Sequence, residues 1–207
     1  MNPISGRPSA TVTLYWLPLG AGGRSVRWNG RIFEALAARR ENRVPRALYH
    51  SALEVRIGPD RYVIEMAPVW AETGDHGGMK VGPVAARWLG RSPLFRYEIR
   101  RWRDGLIPDI EAAVDSPQCI GRSPARARRL LDLVPQVPGL TWGRDQLGTG
   151  DMWNSNSVVS WLLARAVMTC PASNLPRWAA PRDGRRGLCL PHAKSVAEAL
   201  IHDPDSP

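Results

Sequence analysis

Two short segments of this 207-residue chain carry residue types suited to acyl transfer: Tyr49-His50-Ser51 and Asn154-Ser155-Asn156-Ser157. Histidine is the side chain best placed to move a proton near neutral pH. A serine at a helix start stands beside unbonded backbone amides and the positive end of the helix dipole, and those amides can form an oxyanion hole. His50 as base, Ser155 as nucleophile, and Asn154, Asn156 and Ser157 as oxyanion or capping groups make one workable constellation. The same residues also have a plainer reading. Asn and Ser at a helix start are good caps, and a strand histidine often bonds a neighbouring loop.

A base needs a third group to orient it. Glu65 is the obvious carboxylate, but register bears on whether it reaches His50. With Gly58-Pro59-Asp60 as a three-residue loop, paired positions sum to about 118, which puts His50 with Tyr62, Ile64 and Met66 and turns Glu65 to the other face. A bulge or a two-residue loop reverses that. Asp151 and Asn156 are alternative polar partners. Trp153, Trp161 and Tyr49 could wall an acyl pocket, although rings this large equally fill a core. Tyr15 and Trp16 share that ambiguity.

The elements that must hold these residues are legible in outline. Residues 11–19 read as an opening strand that ends at Pro18 and the Gly20-Ala21-Gly22-Gly23 cluster. Apolar residues recur with helical spacing over 26–40. The clearest hairpin runs over 48–57 and 61–69, and Phe95, Tyr97 and Ile99 alternate along a further strand over 94–102. Residues 71–82, rich in glycine, read as an irregular loop. Ser123-Pro124 opens a helix to about Val134, because a serine hydroxyl caps free amides and proline suits the first helical position. Residues 135–150 form a Pro/Gly-rich connection. Asn154 then opens the most apolar helix, over 158–168. The expectation is a single α+β domain over 1–170, an antiparallel sheet packed against a central apolar helix, with 171–207 a loosely ordered tail.

In order and spacing, Tyr49-His50-Ser51-Ala52-Leu53 followed by Asn154-Ser155-Asn156-Ser157-Val158-Val159 resembles the circularly permuted papain-like fold, the branch of lecithin-retinol acyltransferase-like and desumoylating-isopeptidase-like enzymes. The family places a strand histidine first and an Asn-Cys helix start later; here Ser155 stands at the cysteine. The resemblance covers about residues 48–168. It implies a permuted papain-like α+β fold and a cleft acting on a peptide, isopeptide, thioester or acyl ester.

Composition narrows the alternatives. The net charge of +9 raises nucleic acid as a partner, yet 26 of the 28 basic residues are arginine and they are scattered, as in a solvated arginine-rich surface. Arg100-Arg101-Trp102-Arg103 could stack on nucleotides, but reads first as a solvated strand end. The glycines after residue 19 lack the third glycine and the second βαβ unit of a dinucleotide loop. Cys119, Cys170 and Cys189 show no metal or disulfide spacing, so no metal or cofactor is implied and a reducing, cytoplasmic location is expected. The first residues have no apolar core of a signal peptide, and the 158–168 segment is too short to span a bilayer. His76 could serve as a lid residue; His192 and His202 carry no evident chemistry. Three readings follow: a hydrolase or acyltransferase, a non-catalytic papain-like binding or scaffold module, and a basic nucleic-acid-associated protein.

Overall fold

A computed structural model describes residues 9–18, 49–69, 78–148 and 152–168. The expected helix over 26–40, the Gly20–Gly23 cluster, His76, Asp151 and everything from residue 171 onward lie outside them.

Alternating and β-branched residues fold as foreseen into strands β1 (Ala10–Pro18), β2 (Tyr49–Ile57), β3 (Asp60–Pro68) and β5 (Arg96–Arg103). Two short strands add to these, β4 (Lys80–Pro83) and β6 (Gln118–Gly121). Four residues are too few to show a period, and β4 emerges from the segment expected to be a loop. The six strands form one antiparallel sheet in the order β4-β5-β3-β2-β1-β6. Phe95, expected in a strand, instead ends a short 3-10 helix, Pro93–Phe95, because Pro93 sets a turn rather than a ladder.

Helix α1 (Pro124–Leu133) starts as its sequence indicates, with the Ser123 hydroxyl accepting the Arg126 amide. Helix α2 (Ser155–Arg165) begins three residues earlier than its apolar run. Both helices pack against β2 on one face of the sheet. There Val12, Leu14, Trp16, Leu53, Val55, Ile64, Met66, Tyr97 and Ile99 meet Leu130, Val158 and Leu162 in the main core. The opposite face holds a smaller cluster of Tyr15, Leu17, Ala52, Val63 and Ile107.

The hairpin turn differs from the three-residue loop. Ile57 pairs with Asp60, so only Gly58 and Pro59 turn the chain. Gly58 takes φ of +59°, a conformation that glycine enters without a Cβ penalty and that two-residue hairpins favour. Leu53 consequently pairs with Ile64, one residue off the expected register.

The arginines also differ from a purely solvated set. Arg100 and Trp102 are buried. Several guanidinium groups donate to backbone carbonyls: Arg61 to Gly105 at 2.6 Å, Arg101 to Leu131 at 2.8 Å, Arg129 to Arg165 at 2.9 Å and Arg144 to Ala85 at 2.8 Å. A five-donor planar fork reaches such carbonyls, including those left unbonded at helix ends.

Leu162 is fully buried between α2 and the sheet. Leu162→Ala is expected to lower stability by about 2–5 kcal/mol through lost transfer energy and a residual cavity. Urea unfolding should show a lower midpoint at unchanged slope.

Candidate functional site

The start of α2 is a closed hydrogen-bonded cap. Asn154 is extended, and its Oδ1 accepts the amides of Asn156 at 2.8 Å and Ser157 at 3.1 Å. Ser157 Oγ accepts the Asn154 amide at 3.2 Å, completing a capping box, and donates to Met152 O at 3.1 Å. Ser160 Oγ donates back to Asn156 O at 2.6 Å. The amides of Asn154, Asn156 and Ser157 are therefore already bonded within the helix start. Ser155, the first residue of α2, is 7% exposed.

The two sequence segments do adjoin through the backbone. Asn156 Nδ2 donates to Tyr49 O at 3.2 Å, and Tyr49 packs on the helix-side core. Asn156 Oδ1 is buried without a partner among the described residues, as is the hydroxyl of fully buried Ser51.

Strand alternation then separates His50 from Ser155. The β1–β2 ladder is regular from Tyr49 to Ile57, pairing Ser51 with Trp16 and His50 with Leu17. Trp16 belongs to the core beneath the helices, Leu17 to the cluster on the opposite face. Paired antiparallel residues share a face. His50 thus projects away from α2, while Ser51 faces it.

Glu65 moves the other way. It lies between Ile64 and Met66 of the helix-side core, so it shares the far face with Val63, Ala52 and His50. The sequence register had turned it away; the two-residue turn reverses that parity. Across from it stands Arg100, which ion-pairs with Glu98, lies 5.2 Å from the Trp102 ring centroid, and donates to Pro68 O at 3.4 Å. Burial raises the Glu65 pKa to about 7, with Arg100 opposing and Glu98 adding. His50 keeps a partly exposed side, yet desolvation pushes its imidazole down to about 4. Near neutrality the histidine is uncharged, and the carboxyl keeps its proton to a higher pH than an ordinary glutamate.

The tryptophans serve packing. Trp153 Nε1 donates to Tyr97 Oη at 3.0 Å, and Tyr97 Oη donates to Leu140 O at 2.5 Å. Burial pushes the Tyr97 phenol up to about 12 despite the indole bond. Trp161 is buried in the same core with Arg165 over its ring at 5.3 Å. Sequence reasoning missed Arg100 and Glu98 as companions of Glu65; the i, i+2 spacing of Glu98, Arg100 and Trp102 on one strand was the available signal. Among the described residues no cluster of His, Cys, Asp and Glu could hold a metal ion, and no helix is long and apolar enough to cross a membrane.

These features define an α+β protein whose helix start is a structural cap and whose shifted histidine and glutamate, His50 and Glu65, lie on the far side of the sheet. The chain matches no family model, no curated protein and no solved structure in the comparisons made with each.

Asn154→Ala should cost about 1 kcal/mol of stability and Asn154→Asp much less, since only the latter keeps a capping oxygen; thermal melts of the two variants check this. The pKa shifts of His50 and Glu65 act with opposite sign. As pH falls from 6.5 through about 4, the unfolded chain protonates its histidine before the folded one, and stability is lost. As pH rises from 4.5 through about 7, the unfolded chain ionises its glutamate first, and stability is again lost. Glu65→Gln should therefore grow more stable with rising pH across the window between 4.5 and 6.5, and His50→Gln less stable, with the wild type flatter than either. Urea titrations at stepped pH would reveal the opposed slopes; variants that parallel the wild type would refute the shifts.

Proposed function

We propose that the chain is a non-catalytic binding or scaffold module, built on an α+β sheet of the permuted papain-like kind. One observation carries this reading: the regular β1–β2 ladder turns His50 toward Leu17 and Ala52, on the face away from the helix that begins with Ser155. A serine needs a base within hydrogen-bond reach to attack a carbonyl at neutral pH. The closed cap supports the same reading, since Asn154 Oδ1 and Ser157 Oγ take up the amides of Asn156, Ser157 and Asn154, three of the donors around Ser155. The papain-like part of the proposal draws support from the order of the two segments and from the Asn156 bond to Tyr49 that brings them side by side.

That same bond favours a second reading, a hydrolase or acyltransferase of amide, thioester or ester bonds through His50 and Ser155. It requires the histidine to turn toward the helix. One experiment separates the two. Under the binding-module reading a serine-directed fluorophosphonate leaves the protein unlabelled, and Ser155→Cys gains no thiol-dependent hydrolysis of a p-nitrophenyl ester or thioester. Labelling that disappears in Ser155→Ala, or activity gained in Ser155→Cys and lost in Ser155→Cys with His50→Ala, would establish the enzymatic reading instead.

A further inference from the structure

Between Lys80 and Tyr97 the sequence has four cations, Lys80, Arg87, Arg91 and Arg96, and no acidic residue. The same stretch concentrates large apolar side chains that face solvent: Trp88 is 71% exposed and Leu94 69%, with Val81 and Phe95 also exposed. Trp88 lies in a short 3-10 helix, Arg87–Arg91, which packs on β4 and on the second one, Pro93–Phe95. Neither short helix buries a residue of its own. The exposed groups thus stand together at the β4 end of the sheet.

The backbone beneath them is fixed. Arg96 donates to the carbonyls of Gly90 and Arg91. The Val84 amide bonds Phe95 O at 2.8 Å, and Ala85 is held by Trp142 from above and by the Arg144 side chain. Gly90 lies so close to Pro83 that a Cβ there would sit 2.8 Å from the proline ring. Exposed tryptophan and arginine are residue types that dominate binding hot spots, and a backbone held by these bonds lowers the cost of association.

We infer that the Val81, Trp88, Leu94 and Phe95 surface, with its Arg87 and Arg91 charges, docks a protein partner through an acidic amphipathic segment. The proposal rests on the reading of this chain as a binding module. Charge complementarity selects the partner: the 80–97 stretch has four cations and no carboxylate of its own, Glu98 across from Val81 is held by Arg100, and arginine binds carboxylates in bidentate fashion. The frame is two single turns rather than the amphipathic helix that lies in a membrane surface.

The test uses the full chain and a fluorescein-labelled synthetic peptide of alternating glutamate and leucine, followed by anisotropy. Saturable binding that weakens at least tenfold in both Trp88→Ser/Leu94→Ser and Arg87→Glu/Arg91→Glu, and that falls with added salt, is the expected result. Circular dichroism matching the wild type keeps the variants interpretable, and their exposure makes folding defects unexpected. Three results overturn the proposal: no peptide binding; equal binding by the variants; or retention of the wild type, but not the variants, by phosphatidylserine vesicles or a single-stranded oligonucleotide at peptide-inactive concentrations. Self-association abolished by the same substitutions, with no peptide binding, assigns the surface to a second copy and also overturns it. Fluorophosphonate treatment of the same preparation distinguishes the failures. An unlabelled protein that ignores the peptide leaves the binding-module reading standing and removes only this surface, whereas a labelled Ser155 removes the reading beneath it.

Discussion

The Gly58-Pro59 turn decides which side chains share a face across the centre of the sheet. A two-residue turn pairs Ile57 with Asp60 and fixes every pair behind it. Leu53, Val55, Ile64 and Met66 then fall beneath the helices, while Ala52, Val63, Glu65 and His50 fall on the other side. Strand β5 inherits the same parity through the pairing of Glu65 with Arg100 and of Met66 with Ile99. One added residue in the turn would carry Glu65 into the apolar core and lift Ile64 out of it. Such a slip would set the Glu65 carboxyl among apolar core side chains and take a core residue away from them, so the register is held from both faces.

At the other sequence landmark, local and catalytic demands compete for the same atoms. The first amides of a helix either bond a cap or stay open for a ligand. In α2 the cap wins: Asn154 and Ser157 exchange bonds, and Asn156 reaches across to the Tyr49 carbonyl. Such a start anchors a buried helix to the edge of β2. It leaves Ser155 as a small buried hydroxyl at the point where chain and sheet meet.

Much of the fold was legible in the sequence, for identifiable reasons. The hairpin, the Ser123-Pro124 helix start and the Asn154 cap each have a local chemistry that one segment states by itself. Strands β4 and β6 do not, since four residues show no period and their pairing partners are remote. The register hinged on whether Asp60 belongs to the turn, which depends on the positive φ of Gly58 and on pairing energy along the whole hairpin. The proximity of the His50 and Ser155 segments was foreseen, but the side from which His50 projects follows from its pairing with Leu17, a contact between distant parts of the chain. The burial of Arg100 was invisible for the same reason: its neighbours on the sheet come from β3.

The guanidinium bonds to backbone carbonyls have a consequence for how this cationic chain responds to its ionic surroundings. An ion pair weakens as salt screens it, whereas a donor seated on a carbonyl dipole at contact distance is screened far less. Arg101, Arg129 and Arg144 therefore act as staples between segments through a carbonyl, and Arg61 adds an ion pair with Glu54 to its bond to Gly105. A protein of net charge +9 also relaxes its self-repulsion as salt rises. Exchange of these arginines for lysine would keep the charge and lose the planar fork that makes it useful.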